Sequence, residues 1–155
     1  MMGNKSCCFT GHRRISSYDE AVMKYKLYTL LERLIEDGVD TFYDGGAVGF
    51  DMMCASAVIR LRKVYPHIRL HMILPCKGQD KHWSTQNQKY YKKILEEANS
   101  IFYTSENYDS ECMHKRNRYM VDNSDICVAY YTGGAGGTAY TVDYAKKAGR
   151  DIYYI

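Results

Sequence analysis

Four glycines stand within five positions in the stretch TGGAGGT, residues 132–138. Glycine loses much conformational entropy on folding and has no side chain to pack, so such a run indicates close approach of another group to the backbone. Free N–H groups at a helix N-terminus bind phosphates and other anions. We therefore predict an anion-binding loop, in which a threonine hydroxyl caps the helix or contacts the phosphate. Its residues are Gly133, Gly134, Gly136, Gly137 and Thr138.

A tight turn between a strand and a helix is the purely structural explanation of this loop, although two glycines would be enough for such a turn. The spacing matches neither G-x-G-x-x-G nor G-x-x-x-x-G-K-[ST]. The loop therefore supports neither a dinucleotide-binding fingerprint nor a P-loop kinase.

A second glycine-rich stretch, DGGAVGFD, covers residues 44–51. It provides Gly45, Gly46 and Gly49 as further ligand-binding candidates. Asp51 stands at the predicted start of a helix, where a carboxylate can cap free N–H groups. The alternative role of Asp51 is contact with a ribose or a reacting sugar.

Charged residues complete the candidate site. Gly11 and Arg13 follow the first predicted strand, where an arginine can hold a phosphate by two parallel hydrogen bonds. Arg116 lies on a predicted helix from which it can face the glycine-rich loop at residues 132–138. The candidate acid/base residues are Asp51 and Glu111, since such a group must reach the reacting atoms by a hydrogen bond. No cysteine or histidine spacing indicates a metal site, and no cofactor is predicted.

The elements that must position these residues alternate regularly. Most of the apolar runs are nearly continuous, as is typical of strands buried on both faces of a parallel sheet. Segments with helical periodicity separate them. The predicted fold is a single α/β domain over residues 1–155, a three-layer, Rossmann-like arrangement with a mainly parallel sheet of about six strands. Right-handed crossovers place every strand-to-helix loop at one edge of this sheet. The strand candidates are residues 6–10, 41–44, 69–74, 101–104, 126–131 and 152–155.

Composition narrows the class of protein. The net charge is +3 and the basic residues are spread along the chain, which argues against a duplex-DNA binder. The six cysteines form no C-x-x-C pair, and most lie in apolar stretches, which favours free buried thiols in a reducing cytoplasm. No apolar run is long enough for a membrane span, and the N-terminus does not match a signal peptide. We therefore predict a cytoplasmic protein.

Three motifs in order, CCFTGHR, DGGAVGFDMMCA and MHKRNRYMVDNSDICVAYYTGGAGGTAYTVDYA, resemble the YpsA-like branch of the SLOG superfamily. That superfamily joins the DprA/Smf DNA-processing proteins with the Lonely Guy cytokinin-activating enzymes. The resemblance covers essentially the whole chain. It implies a Rossmann-like fold and binding of a nucleotide or a nucleotide-derived ligand.

The likeness to the Lonely Guy enzymes is only partial. Their M-x-x-R-K motif is similar to MHKRN here, so Arg116 falls on their functional arginine and Asn117 replaces their lysine. Their P-G-G-x-G-T-x-x-E motif is matched at residues 136–138. Tyr140 and Thr141 stand near its end, where those enzymes carry an acid.

Several functions therefore remain open on the sequence alone. The favoured one is binding or sensing of a nucleotide-type ligand at the glycine-rich loops. The alternative is hydrolysis of an N-glycosidic bond in a nucleoside monophosphate by Asp51 or Glu111, so whether the chain is an enzyme stays undecided. A weaker alternative is single-stranded DNA binding, and a homo-oligomer remains possible.

Overall fold

The computed structural model describes residues 4–155, which form five helices and six strands in strict alternation. The strands are β1 (Lys5–Gly11), β2 (Val39–Asp44), β3 (Arg69–Leu74), β4 (Ser100–Tyr103), β5 (Ile126–Tyr130) and β6 (Asp151–Tyr154). The helices are α1 (Ser17–Glu36), α2 (Phe50–Leu61), α3 (Thr85–Glu97), α4 (Cys112–Asp122) and α5 (Gly137–Lys147). The predicted α/β fold is confirmed.

All the strand pairs are parallel, and the strand order is β4-β3-β2-β1-β5-β6. The chain builds the sheet outward from β1 to β4 and then returns to the other side of β1 to add β5 and β6. The strand order therefore reverses between β1 and β5. In open parallel sheets a ligand crevice forms at such a reversal, outside the carboxyl ends of the strands.

Two hydrophobic clusters cover the two faces of the sheet. The larger contains buried residues of α1, α2 and α3, including Leu27, Phe50 and Ile94. The smaller joins α4 and α5 to the opposite face through Met120, Val121 and Ala145. The sheet is therefore the middle layer of three, with the loops that follow the strands free at its edge.

The prediction that apolar runs are buried on both faces is wrong for the two edge strands. All four residues of β4 are exposed, and β6 is mostly exposed as well. An edge strand has a neighbouring strand on one side only, so its side chains are less completely covered than those of a central strand. All six cysteines are buried and free, as predicted. None of the helices described within residues 4–155 is both long and apolar enough to cross a membrane.

Candidate functional site

A cavity of about 230 Å³ opens where β1 and β5 end side by side. The loop after β1 forms one wall, the start of α5 forms a second, and α2 and α4 contribute the floor. The site therefore lies at the reversal of strand order, as the topology predicts. The lining includes seven of the residues that the sequence analysis proposed: Gly11, Arg13, Asp51, Arg116, Gly136, Gly137 and Thr138. Further lining residues include His12, Ala47, Met113, Asn117 and Ala135.

Helix α5 presents an open N-terminus to this cavity. Its N-cap is Gly136, and no side chain hydrogen-bonds to the first turn as a cap. Thr138 does not cap the helix, because it lies inside the first turn, where it is buried against the cavity. The first-turn N–H groups have no carbonyl acceptor within their own helix, so they are available to an anion.

Gly11 and two glycines of the loop at residues 44–51 have a structural explanation. A Cβ on Gly49 would overlap the carbonyl oxygen of Arg13, and one on Gly11 would overlap the ring of Phe50. A Cβ on Gly45 would lie 2.5 Å from Nη1 of Arg116. Close packing within the protein therefore requires glycine at these three positions, with or without a ligand.

The glycines of the loop at residues 132–138 have no such explanation. Beyond its chain neighbours and its own helix, a Cβ on any of its four glycines would meet no atom of residues 4–155 within 4 Å. Gly133, Gly134 and Gly136 have positive φ angles, which favour glycine on conformational grounds alone. Gly137 does not have a positive φ, and it lines the cavity as the first residue of α5. Neither packing nor backbone conformation within the described chain explains a glycine at this position.

Arg116 lies beneath the cavity and is almost fully buried. Its Nη1 donates to the carbonyl oxygen of Gly45 at 2.6 Å, and its Nε donates to Oδ1 of Asn117 at 2.8 Å. Nη1 also lies 3.4 Å from the carbonyl oxygen of Ile73. Much of the guanidinium is therefore engaged within the protein, and it connects α4 to the loop that follows β2.

Two buried carboxylates lie close to this guanidinium. Oδ1 of Asp44 accepts a hydrogen bond from the Gly46 N–H at 2.8 Å, whereas its buried Oδ2 has no hydrogen-bond partner in the part of the chain that the structure describes. Burial and the negative charge of Asp51 raise the pKa of Asp44 well above its ordinary value. A protonated Asp44 is the state that such a dry environment favours.

Asp51 is the carboxylate that lines the cavity. It lies inside the first turn of α2, whose N-cap is Gly49, and its Oδ2 accepts a hydrogen bond from the Ala47 N–H at 3.2 Å. Asp51 therefore ties together the loop before α2 and does not serve as the N-cap. Burial raises the pKa of Asp51 to about 6, against the lowering effect of Arg116. At that pKa the carboxyl can exchange a proton near neutral pH.

Some predicted residues lie away from the cavity. Gly46 packs toward Tyr91, and Gly133 and Gly134 stand in the exposed part of their loop. Glu111 is exposed before α4, with its carboxylate 3.8 Å from Nδ1 of His114. Glu111 therefore contributes nothing to the lining of the cavity.

His12 is a residue that the glycine patterns did not indicate. Its Nε2 accepts a hydrogen bond from the Thr132 N–H at 2.9 Å and lies 3.1 Å from the Thr132 hydroxyl oxygen. The ring also makes an edge contact with Tyr130. His12 thus connects the loop after β1 to the glycine-rich loop at residues 132–138. The one sequence feature that could have indicated His12 is its position directly after the first strand, next to Arg13.

Comparisons with known proteins agree with this architecture. The sequence model of the YspA SLOG family (YpsA) matches residues 8–155. The uncharacterized SPbeta prophage-derived protein YoqJ of Bacillus subtilis (strain 168) is 36% identical over 138 residues, which are 81% of each chain. A UPF0398 protein of Halalkalibacterium halodurans is 33% identical over 117 residues, which are 74% of this chain and 62% of the relative.

Two solved structures of DNA processing protein A share the fold. The Helicobacter pylori protein, whose single-stranded DNA binding mode has been described, has a TM-score of 0.68 at 21% identity. The match covers 98% of this chain and 65% of that protein. The Streptococcus pneumoniae protein also has a TM-score of 0.68, at 15% identity, with 97% of this chain and 50% of that protein covered. This chain thus spans one half to two thirds of these two proteins.

Proposed function

The chain belongs to the YspA SLOG family, and on that basis we propose that it binds a nucleotide or a nucleotide-derived ligand in the cavity between β1 and β5. An anionic group of the ligand lies at the open N-terminus of α5. Arg13 contributes a positive charge from the opposite wall, and Asp51 offers a hydrogen-bond acceptor to a sugar hydroxyl.

Gly137 is the observation that carries this proposal. Its φ angle is ordinary and a Cβ would contact no protein atom, so the folded chain alone has no need of glycine there. Gly137 lines the cavity, and side chains on a helix tilt toward its N-terminus, so a side chain at this first position would take up space beside the free N–H groups. A ligand that contacts this backbone closely supplies the missing reason.

A thermal-shift screen with nucleoside monophosphates and their derivatives tests the proposal, because a ligand specific to the folded state raises the melting temperature. Calorimetry on Gly137→Asp and Gly137→Asn then separates charge from size, since the two side chains have nearly the same shape. We expect the aspartate to weaken binding far more than the asparagine. Absence of binding by every nucleotide, or equal effects of the two variants, would contradict the proposal.

Asp51 supports a second candidate function, hydrolysis of an N-glycosidic bond in a nucleoside monophosphate. It is a carboxyl that faces the cavity with a pKa of about 6, which suits acid/base work near neutral pH. Glu111 lies outside the lining of this cavity, so we propose Asp51 for this role. Incubation with nucleoside monophosphates followed by an assay for free base tests it. Release of base that is lost in Asp51→Asn would favour this function over simple binding.

A further inference from the structure

A second concave surface lies beside the cavity, between α1, α2 and α3. This groove has a volume of about 380 Å³. Its walls carry cationic and aromatic side chains, and its floor is formed by Val48, Met52 and Met53. The residues that matter for its chemistry are Arg13, Lys24, Tyr28, Arg60 and Tyr90.

The groove has an excess of positive charge. Its one carboxylate, on Glu20, is paired with Lys24 at 3.2 Å. The remaining two cations, Arg13 and Arg60, make no ion pair with any residue in the described range 4–155. Two unpaired guanidinium groups along a groove are suited to phosphate oxygens, which they bind through planar, paired hydrogen bonds.

The groove also presents aromatic surface. Tyr90 is 40% exposed, and its hydroxyl donates to the carbonyl oxygen of Met52 at 3.3 Å, which fixes one end of the side chain. Tyr28 is half-buried, and burial raises its pKa against the lowering effect of the nearby charges of Arg60 and Lys24. Aromatic faces bind nucleobases by stacking, and methionine side chains adapt to flat ring surfaces.

Arg13 lines both the cavity and the groove, so the two are continuous at this residue. Its backbone is held in place because its carbonyl oxygen packs against Gly49 and the neighbouring His12 carbonyl oxygen accepts from the Phe50 N–H. The cavity alone, at about 230 Å³, is smaller than the roughly 300–1,000 Å³ typical of small-molecule sites. A ligand that fills the cavity can therefore extend past Arg13 into the groove.

We propose that the groove binds a second nucleotide unit of the ligand, with Arg13 beside the linking phosphodiester and Arg60 on the wall that contacts the second unit. This inference rests on the proposed function, because the first phosphate lies at the N-terminus of α5. The ligand class is a compound with two or more linked nucleotides, either a free dinucleotide or a short single-stranded nucleic acid.

Calorimetry with adenosine 5′-monophosphate, the 5′-phosphorylated dinucleotide pApA and a longer single-stranded oligoadenylate tests this. We expect pApA to bind at least about 10-fold more tightly than the monophosphate, the usual minimum for an added charged hydrogen bond. Arg60→Gln and Tyr90→Leu should each reduce this ratio toward one. Arg33→Gln is the matched control, because Arg33 also stands in the last turn of a helix and is exposed outside the groove.

The outcomes separate the two proposals. Equal affinities for the monophosphate and pApA, or a ratio that survives Arg60→Gln and Tyr90→Leu, would overturn the groove and leave the nucleotide site intact. No binding by any of the three probes would overturn both. If pApA and the oligoadenylate bind equally well, the site is complete with two units. A further gain for the oligoadenylate, with strong salt dependence, would identify a nucleic-acid strand as the source.

Discussion

The guanidinium of Arg116 fills the space that a Cβ on Gly45 would occupy, and it donates a hydrogen bond to the carbonyl oxygen of Gly45 at 2.6 Å. A residue of α4 therefore depends on the absence of a side chain in the loop after β2. This contact explains why residue 45, in the loop at residues 44–51, is a glycine, and it also explains how Arg116 can be buried below the cavity.

Gly45→Ala should reduce the free energy of unfolding by about 1–3 kcal/mol, the usual cost of inserting atoms into a packed interior. The guanidinium cannot move aside without losing its bond to the Gly45 carbonyl. Gly137→Ala is the control, since its Cβ meets no protein atom and its φ is not positive. In a helix that change should leave stability unchanged or raise it by up to about 1 kcal/mol. Urea unfolding measures both, and equal effects would contradict the packing role of Gly45.

Arg116→Met should destabilise the protein by about 3 kcal/mol or more, because it leaves buried carbonyl oxygens and carboxyls without their cation. Arg118→Met on the same helix is the comparison. Arg118 is only partly buried and donates to the Tyr140 hydroxyl at 2.8 Å, so its loss should cost about 1 kcal/mol. Thermal and urea unfolding of the two variants tests the difference. A small effect of Arg116→Met would mean that its main role is in ligand contact.

The fold could be predicted from the sequence because the alternation of apolar runs and helical stripes is a local pattern. The strand 69–74, for example, was predicted with its observed bounds. Exposure of β4 could not be predicted in this way, since its IFY run is as apolar as that of a central strand. Its position at the sheet edge depends on strand order, which local periodicity does not contain.

From the sequence the glycine-rich loops could be proposed as a candidate site, but the reason for each glycine could not be predicted. Both glycine loops were assigned to a ligand, yet Gly11, Gly45 and Gly49 are required by contacts with residues distant in sequence. Only the three-dimensional structure distinguishes them from Gly137. Asp51 was expected as a helix cap, but α2 begins at Phe50, two residues earlier than a cap at Asp51 requires, and the carboxylate accepts from the preceding Ala47 N–H.

The charge cluster under the cavity predicts a pH dependence with a definite sign. Folding raises the pKa of Asp51 from 3.8 to about 6, so between these values the folded state binds more protons than the unfolded state. The contribution of Asp51 to the free energy of unfolding therefore falls as pH rises through this window. Above about pH 6 the buried carboxyl is ionised, and the protein bears the full energetic cost of that buried charge.

Asp51→Asn should remove that cost, because an amide keeps an oxygen acceptor for the Ala47 N–H but does not ionise. Relative to the wild type, the variant should gain stability as pH rises from about 4 to 7, by up to about 3 kcal/mol, since each pKa unit is worth about 1.4 kcal/mol. Asp143→Asn is the control. The Asp143 carboxylate is exposed on α5, 3.0 Å from Nζ of Lys147, so this variant should keep the pH dependence of wild-type stability. Urea unfolding of the wild type and the two variants across this pH range measures the free energies of unfolding that test this prediction. A difference between Asp51→Asn and wild type that does not change with pH would show that Asp51 is ionised in the folded protein throughout, and so is not available as a proton donor in the cavity.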